Sequence, residues 1–172
     1  HLKTKKRKNI VKERDHLKKN DINLVIKRGD DICIKDINLF FECYINTIDK
    51  KWSIAYLKHS FFDQLLKSTI KKKIVLIQAF QKNTFVGCSL HFIGKENLYG
   101  RYWGCLKEIP FLHFELCYYS AIEFAIKNNL KKVEAGAQGE HKISRGYLPN
   151  LTYSNHWFNN EVLSKPIKEF LT

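Results

Sequence analysis

Residues 73–105, KIVLIQAFQKNTFVGCSLHFIGKENLYGRYWGC, decide the fold. They hold three runs rich in β-branched and aromatic residues: 73–80, 84–93 and 97–105. Between the runs stand only QKN and GKE. Such runs, bounded by polar turn residues, read as strands, and connections this short make consecutive strands antiparallel neighbours. The first run is apolar on both faces, which predicts a central strand covered on both sides.

The chain on either side of this meander supplies the layers. Upstream, 3–20 reads as a polar, basic helix and INLVIK (22–27) as a short strand ended by Gly29-Asp30-Asp31. Asp30 or Asp31 is the predicted cap of the next helix, whose apolar face carries Cys33, Ile37, Phe40, Phe41, Tyr44 and Ile48 at steps of three and four. A second, shorter helix follows near SFFDQLLKS, with Ser60 as its cap and Phe61, Phe62, Leu65 and Leu66 inward. Downstream, Pro110 opens a helix over 111–129 with an inner face of Phe111, Phe114, Tyr118, Ile122, Ala125 and Ile126. A strand over 131–137, parallel to 97–105, is predicted next. Then come a Gly-rich loop, a strand over 151–158 and a terminal helix around Pro166. The expected fold class is α/β (α+β): a mixed, mostly antiparallel central sheet flanked by helices. Residues 1–20 are expected to form a basic connecting helix and 21–172 the domain itself. The leader has few apolar positions (Ile10, Val11, Leu17), which predicts weak contact with the body.

Composition narrows the function classes. The chain has 172 residues, 44% hydrophobic and 13% aromatic, which suits one folded domain with a real core. It has no run of about 18 apolar residues that would span a membrane and no signal-peptide pattern. Five scattered cysteines without a CxxC pair point to a reducing cytoplasm. A first residue other than Met, and no Met at all, suggest that something N-terminal has been removed. Net charge is +13, and the first twenty residues hold nine Lys or Arg against two acids. That charge suits an anionic partner, although the excess of Lys, Ile and Asn is also what an A/T-rich genome imposes on any protein.

Chemistry concentrates where the third meander strand, the start of the helix at 111 and the end of the strand at 131–137 should meet. Strand ends and helix starts at a gap in a sheet are where α/β ligands sit. The ionisable residues near that junction are Arg101, Tyr102, Glu108, His113, Glu115, Glu134, Glu140, His141, Lys142 and Arg145. Glu115 lies on the predicted apolar stripe, where a carboxylate needs a cation or donors beside it. It reads either as a general base for an amine or as a structural carboxylate held by the loop or by Arg145. The stretch EAGAQGEHKISRGY (134–147) sets Glu140, His141 and Lys142 side by side after Gly136 and Gly139, which permit close backbone approach. HxH, HxxxH and paired-Cys spacings are lacking, so a metal is not expected. Nor is there a nucleophile elbow, a Walker loop or a Rossmann fingerprint.

Residues 102–158, YWGCLKEIPFLHFELCYYSAIEFAIKNNLKKVEAGAQGEHKISRGYLPNLTYSNHWF, resemble the signature region of bacterial predicted N-acyltransferases of FemAB-like type, the peptidoglycan biosynthesis/recognition proteins of the GNAT superfamily. The leader KTKKRKNIVKERDHLKKNDI resembles that family's basic helix. The resemblance implies a GNAT-like C-terminal half of a tandem pair, with an N-terminal half missing. It implies acyl or aminoacyl transfer to an amine acceptor, from acyl-CoA or aminoacyl-tRNA. Motif positions carried over are His113, Glu115, Tyr118 and Tyr119 on the helix, and Glu134, Gly136, Gln138, Gly139, Glu140, His141, Lys142 and Arg145 on the strand and loop. The CoA loop pattern of GNAT enzymes, Q/RxxGxG/A, is replaced by CLKEIPFLH, which leaves the donor open. The expected catalytic set is Glu115, His141, Glu140 and Tyr102, with Tyr147 as another leaving-group acid. His113, Glu134, Gln138, Gly139, Lys142 and Arg145 are the expected substrate-binding set. The alternative is a non-catalytic basic module that binds RNA or an anionic cell-wall precursor.

Overall fold

The computed structural model of the chain describes residues 2–50, 52, 54–136, 139–151, 153 and 155–171. Helix α1 (Thr4–Lys19) leads into β1 (Ile22–Arg28), α2 (Ile34–Asp49) and α3 (His59–Lys67). The meander follows as β2 (Ile74–Gln81), β3 (Thr84–Ile93) and β4 (Asn97–Cys105); the last two have the expected bounds, and β2 lies one residue later than 73–80. Next come α4 (Leu112–Phe114), a π-helical turn (Glu115–Tyr119) and α5 (Ser120–Lys127), which run on as one helix over 112–127. Strand β5 (Lys132–Glu134), α6 (Glu140–Ile143) and α7 (Glu161–Leu171) complete the order.

The five strands lie in sequence order, antiparallel from β1 to β4, and β5 joins β4 in parallel. Strand alternation splits the apolar residues between two cores. Val75, Ile77 and Ala79 of β2 pack with Leu17 of α1 and with Leu112, Leu116 and Phe124 of the long helix. Ile74 and Leu76 pack on the opposite face with Ile37, Phe40 and Tyr44 of α2 and Phe62 and Leu65 of α3. Strand β2 is buried on both faces through its first six residues. The result is a sheet between two helical layers, the mixed, mostly antiparallel sheet flanked by helices that the sequence predicts.

Several local expectations are corrected. Asp30 and Asp31 sit in a 3-10 turn and do not cap α2. Cys33 is the N-cap, and the Asp36 carboxylate accepts its backbone N–H at 2.9 Å and its thiol at 3.1 Å. Asp36 also accepts from Lys27 Nζ at 2.7 Å and Gln78 Nε2 at 3.1 Å. Burial pulls the Asp36 pKa up, but these donors, Lys27 foremost, bring it below the usual carboxylate value. Ser60 lies inside α3, where Lys58 is the N-cap. The inner face of the long helix is also different. Tyr118 and Ala125 are buried as expected, but Leu112, Leu116, Ala121 and Phe124 are buried with them, whereas Phe111 is 37% and Ile126 71% exposed. Phe111 stands before the helix as its N-cap, in the left-handed region at φ 69, and beyond the π-turn one extra residue rotates the chain by roughly 100° relative to a 3.6-residue period. Strand β5 has three residues; of the seven predicted over 131–137, Lys131, Ala135 and Gly136 stand outside it, and residue 137 lies outside the described residues. The described part of 151–158 forms no strand, and its Tyr153 and Trp157 are exposed.

Candidate active site at the splayed edge of strand β4

Strand β5 pairs only with Asn97, Leu98 and Tyr99. Beyond them the β4 edge over 100–105 has no strand beside it among the described residues, so the sheet opens there. Helix α2 braces the opening from the other face. Asn46 Nδ2 donates to the Cys105 carbonyl at 2.5 Å, and the Thr47 hydroxyl is shared between the Cys43 carbonyl of its own helix at 2.9 Å and the Trp103 carbonyl at 3.3 Å. Gly104 makes this approach possible, because a Cβ there would stand 2.2 Å from the Cys43 carbonyl oxygen. A groove of about 640 Å³ runs past the opening. Thr47 and Lys50 of α2, Trp103 and Cys105 of β4, and residues 108–114 line it. Its two charges, Lys50 and Glu108, pair with each other at 2.6 Å, so its wall is chiefly apolar and aromatic.

His113 links this groove to the Gly-rich loop. Its ring lies 4.5 Å from Trp103 on one side and 6.0 Å from His141 on the other. His141 Nε2 is 2.9 Å from the Tyr118 hydroxyl. Burial pushes the Tyr118 phenol up to about 12, with Cys117 adding to the rise and Arg145 opposing it. Tyr147 packs edge-on to Tyr118 at 5.3 Å; its buried hydroxyl has no hydrogen-bond partner among the described residues, and burial raises its pKa. The loop backbone that presents His141 requires glycine at 139. Gly139 has φ +104, and a Cβ there would meet the His141 ring at 2.6 Å.

Glu115 is held from a direction the sequence did not indicate. It is 4% exposed, and its partner comes from α1. Arg14 Nε donates to Oε2 at 3.0 Å and Nη2 to Oε1 at 2.9 Å, while Ser120 Oγ donates to Oε1 at 3.0 Å. Arg14 also reaches Glu123. These pairings raise the Arg14 pKa, the Glu123 bond contributing most. Arg145, the expected partner of Glu115, instead forks onto Glu13 at 2.8 and 2.9 Å and donates to the Tyr119 hydroxyl at 2.8 Å. The expected weak docking of the leader is therefore corrected: α1 supplies Glu13 and Arg14 to the polar network of the long helix and inserts Leu17, 3% exposed, into the core.

The remaining expected site residues scatter. Tyr102 belongs to the opposite face of the sheet, against Tyr44 and hydrogen-bonded to Tyr56. Burial, first, raises its pKa. Glu134 accepts from Asn97 Nδ2 at 3.0 Å on β5. Glu140 is exposed at the start of α6. Lys142 Nζ donates to the Gly136 carbonyl at 3.0 Å, and burial lowers its pKa. Gln138 lies outside the described residues. The structure thus gathers His113, His141 and Arg145 with Tyr118 and Tyr119, and sets Tyr102 apart from them. Sequence reasoning missed Glu13, Arg14, Asn46, Thr47 and Trp103 as parts of this region. Trp103 stood within the strand already marked as the splayed edge; the other four sit on distant helices and carried no local signal.

A family model described as FemAB-like, peptidoglycan biosynthesis/recognition, matches residues 1–172. No curated protein matches the sequence. Among solved structures, an aminoglycoside acetyltransferase from an uncultured soil metagenomic sample, in complex with sisomicin, is similar at TM-score 0.59 and 10% identity, over 83% of this chain and 99% of that one. A GNAT family acetyltransferase from Staphylococcus aureus is similar at TM-score 0.54 and 14% identity, over 80% and 99%. AAC(6')-Iy, in complex with the bisubstrate analogue CoA-S-monomethyl-acetylneamine, is similar at TM-score 0.52 and 8% identity, over 80% and 99%. At these identities the likeness concerns the fold. Among the described residues no helix is long and apolar enough to cross a membrane.

Proposed function

We propose an N-acyltransferase, from the premise that this chain belongs to the FemAB-like family of peptidoglycan biosynthesis/recognition proteins. The observation that carries the reading is the meeting of three elements at one opening. The unpaired β4 edge, the groove at the start of the long helix and the loop bearing His141 are joined through His113. Solved neighbours of the same fold are acetyltransferases, one of them holding a CoA bisubstrate analogue.

In this reading the donor's acyl end lies in the groove, with its carbonyl oxygen toward the open edge near 103–105, where backbone N–H groups can polarise it. An acceptor amine attacks the carbonyl carbon. His141 takes the amine proton on its imidazole, whose ring is oriented by the contact between Nε2 and the Tyr118 hydroxyl at 2.9 Å. The tetrahedral intermediate then collapses, the bond to the leaving thiol or alcohol breaks, and the imidazolium returns the proton to that group. Glu115, with both oxygens held by Arg14 and Ser120, serves to anchor the helix. Acyl-CoA is the donor suggested by the neighbours, and aminoacyl-tRNA is the alternative suggested by CLKEIPFLH.

The test offers labelled acetyl-CoA and, separately, labelled aminoacyl-tRNA, with an aminoglycoside and a peptidoglycan precursor peptide as amines. Label should pass to an amine from one donor. His141→Ala should lower kcat on the order of a hundredfold and leave donor affinity unchanged. No transfer from either donor, with nucleic acid or precursor retained on the protein, favours the non-catalytic module. That second reading draws on the exposed lysines of α1.

A further inference from the structure

We infer that Glu13, on α1, is a positioning residue for His141, acting through Arg145. The inference deepens the reading of His141 as proton acceptor and, for its catalytic consequence, rests on it.

Arg145 is fixed on three sides. Its Nη2 donates to both Glu13 oxygens at 2.8 and 2.9 Å. Its Nε donates to the Tyr119 hydroxyl at 2.8 Å, and that hydroxyl donates in turn to Glu13. The guanidinium carbon stands 3.4 Å from the centre of the Phe114 ring. The remaining nitrogen, Nη1, donates to the His141 backbone carbonyl at 3.0 Å. The side chains of Arg145 and Glu13 are 9% and 15% exposed, so water competes little for these bonds. The Phe114 ring also packs 5.8 Å from the His141 ring.

A chain of contacts therefore runs from α1 to the imidazole: Glu13 orients Arg145, Arg145 grips the His141 backbone, and Phe114 meets both. This matters because His141 sits on a short, exposed helix. Tyr118 fixes the ring, while the main chain beneath it is held by a guanidinium whose orientation depends on a residue 132 positions away in sequence. Only arginine can do this. A planar fork serves a carboxylate, a phenol and a carbonyl at once, whereas an ammonium cannot span them.

The two ends of that chain can be separated. Glu13→Gln keeps one neutral acceptor for Arg145 and removes the charge. Arg145→Lys keeps the ion pair and removes the grip on the His141 carbonyl. The readout is the rate of diethylpyrocarbonate modification of each histidine, mapped by mass spectrometry and compared with melting temperature. Both variants should speed modification of His141 several-fold and leave His59 and His156 at the wild-type rate. An unchanged His141 rate, or an equal rise at all histidines, overturns the inference. Where transfer is measurable, Glu13→Gln should lower kcat on the order of tenfold with KM unchanged, the mark of a misplaced group. The modification rates need no activity. If His141 modification rises while His141→Ala transfers label normally, the positioning stands and the catalytic role of His141 falls.

Discussion

Glu115 shows what a single residue can disclose and what it cannot. A glutamate on an apolar stripe announces that a partner exists, because a buried unpaired charge is too costly to keep. It does not say where the partner comes from. Sequence proximity favoured His141, Lys142 and Arg145, yet the cation is Arg14, 101 residues upstream. The pairing supports the anchoring role proposed for Glu115, since both oxygens are already engaged by a guanidinium and a hydroxyl. Arg14→Ala should therefore cost about 3 kcal/mol in urea unfolding. That is the low end for breaking a buried pair, because Arg14 itself is partly exposed. Glu115→Gln should lower stability by less and leave transfer per folded molecule intact. Loss of transfer in a fully folded Glu115→Gln protein would restore Glu115 as the base.

Among the elements, the meander was the most legible: β-branched runs and two short polar turns placed β2, β3 and β4 to within one residue. The long helix was legible in extent and misread in phase, because Phe111 caps it instead of opening it and a π-turn interrupts its 3.6-residue period. Its anchor lies in β3. Ser89 Oγ donates to the Leu116 carbonyl within the π-turn at 3.0 Å, and a hydroxyl that enters a helix's bonding ladder distorts it there. The one hydroxyl proton being committed, His91 Nε2–H must donate to Ser89 Oγ at 2.8 Å. That leaves His91 Nδ1 bare and buried, with no partner among the described residues. Protonating it would bury a charged donor without an acceptor, and burial lowers its pKa from 6.5 to about 4. The sign follows: between these values the unfolded chain binds a proton the native state refuses. Stability is full above pH 6.5 and falls as pH drops through that window, by roughly 3 kcal/mol in all. Unfolding free energy measured from pH 7 to 4 should show this slope, and His91→Gln, which keeps a donor toward Ser89, should flatten it. A slope that persists in the variant assigns the loss to other groups.

At the scale of the whole molecule the question is where the domain begins. Composition separates residues 1–20 from the rest, with nine Lys or Arg against two acids, and on that ground 21–172 was expected to be the domain. Contacts tie the leader to the rest of the chain. Leu17 completes the core under β2, Arg14 neutralises Glu115, and Glu13 holds Arg145 and Tyr119. The same helix thus has two faces of opposite purpose: its outer lysines are solvated, and its inner face closes one of the two helical layers. Hydrophobic patterning registered only the sparse apolar positions, because the inner face docks through ions as much as through burial. A protein beginning at residue 21 would keep every strand, yet leave Glu115 without its cation and expose the core beneath Leu17. We expect 21–172 to unfold at markedly lower urea than 1–172. We also expect hydrogen exchange in the full chain to be slow at 13–17 and fast at 4–9, where α1 is exposed throughout. Equal stability of the two forms, with uniformly fast exchange along α1, would return the leader to the role of a connecting helix and remove the ground for assigning Glu13 to the site.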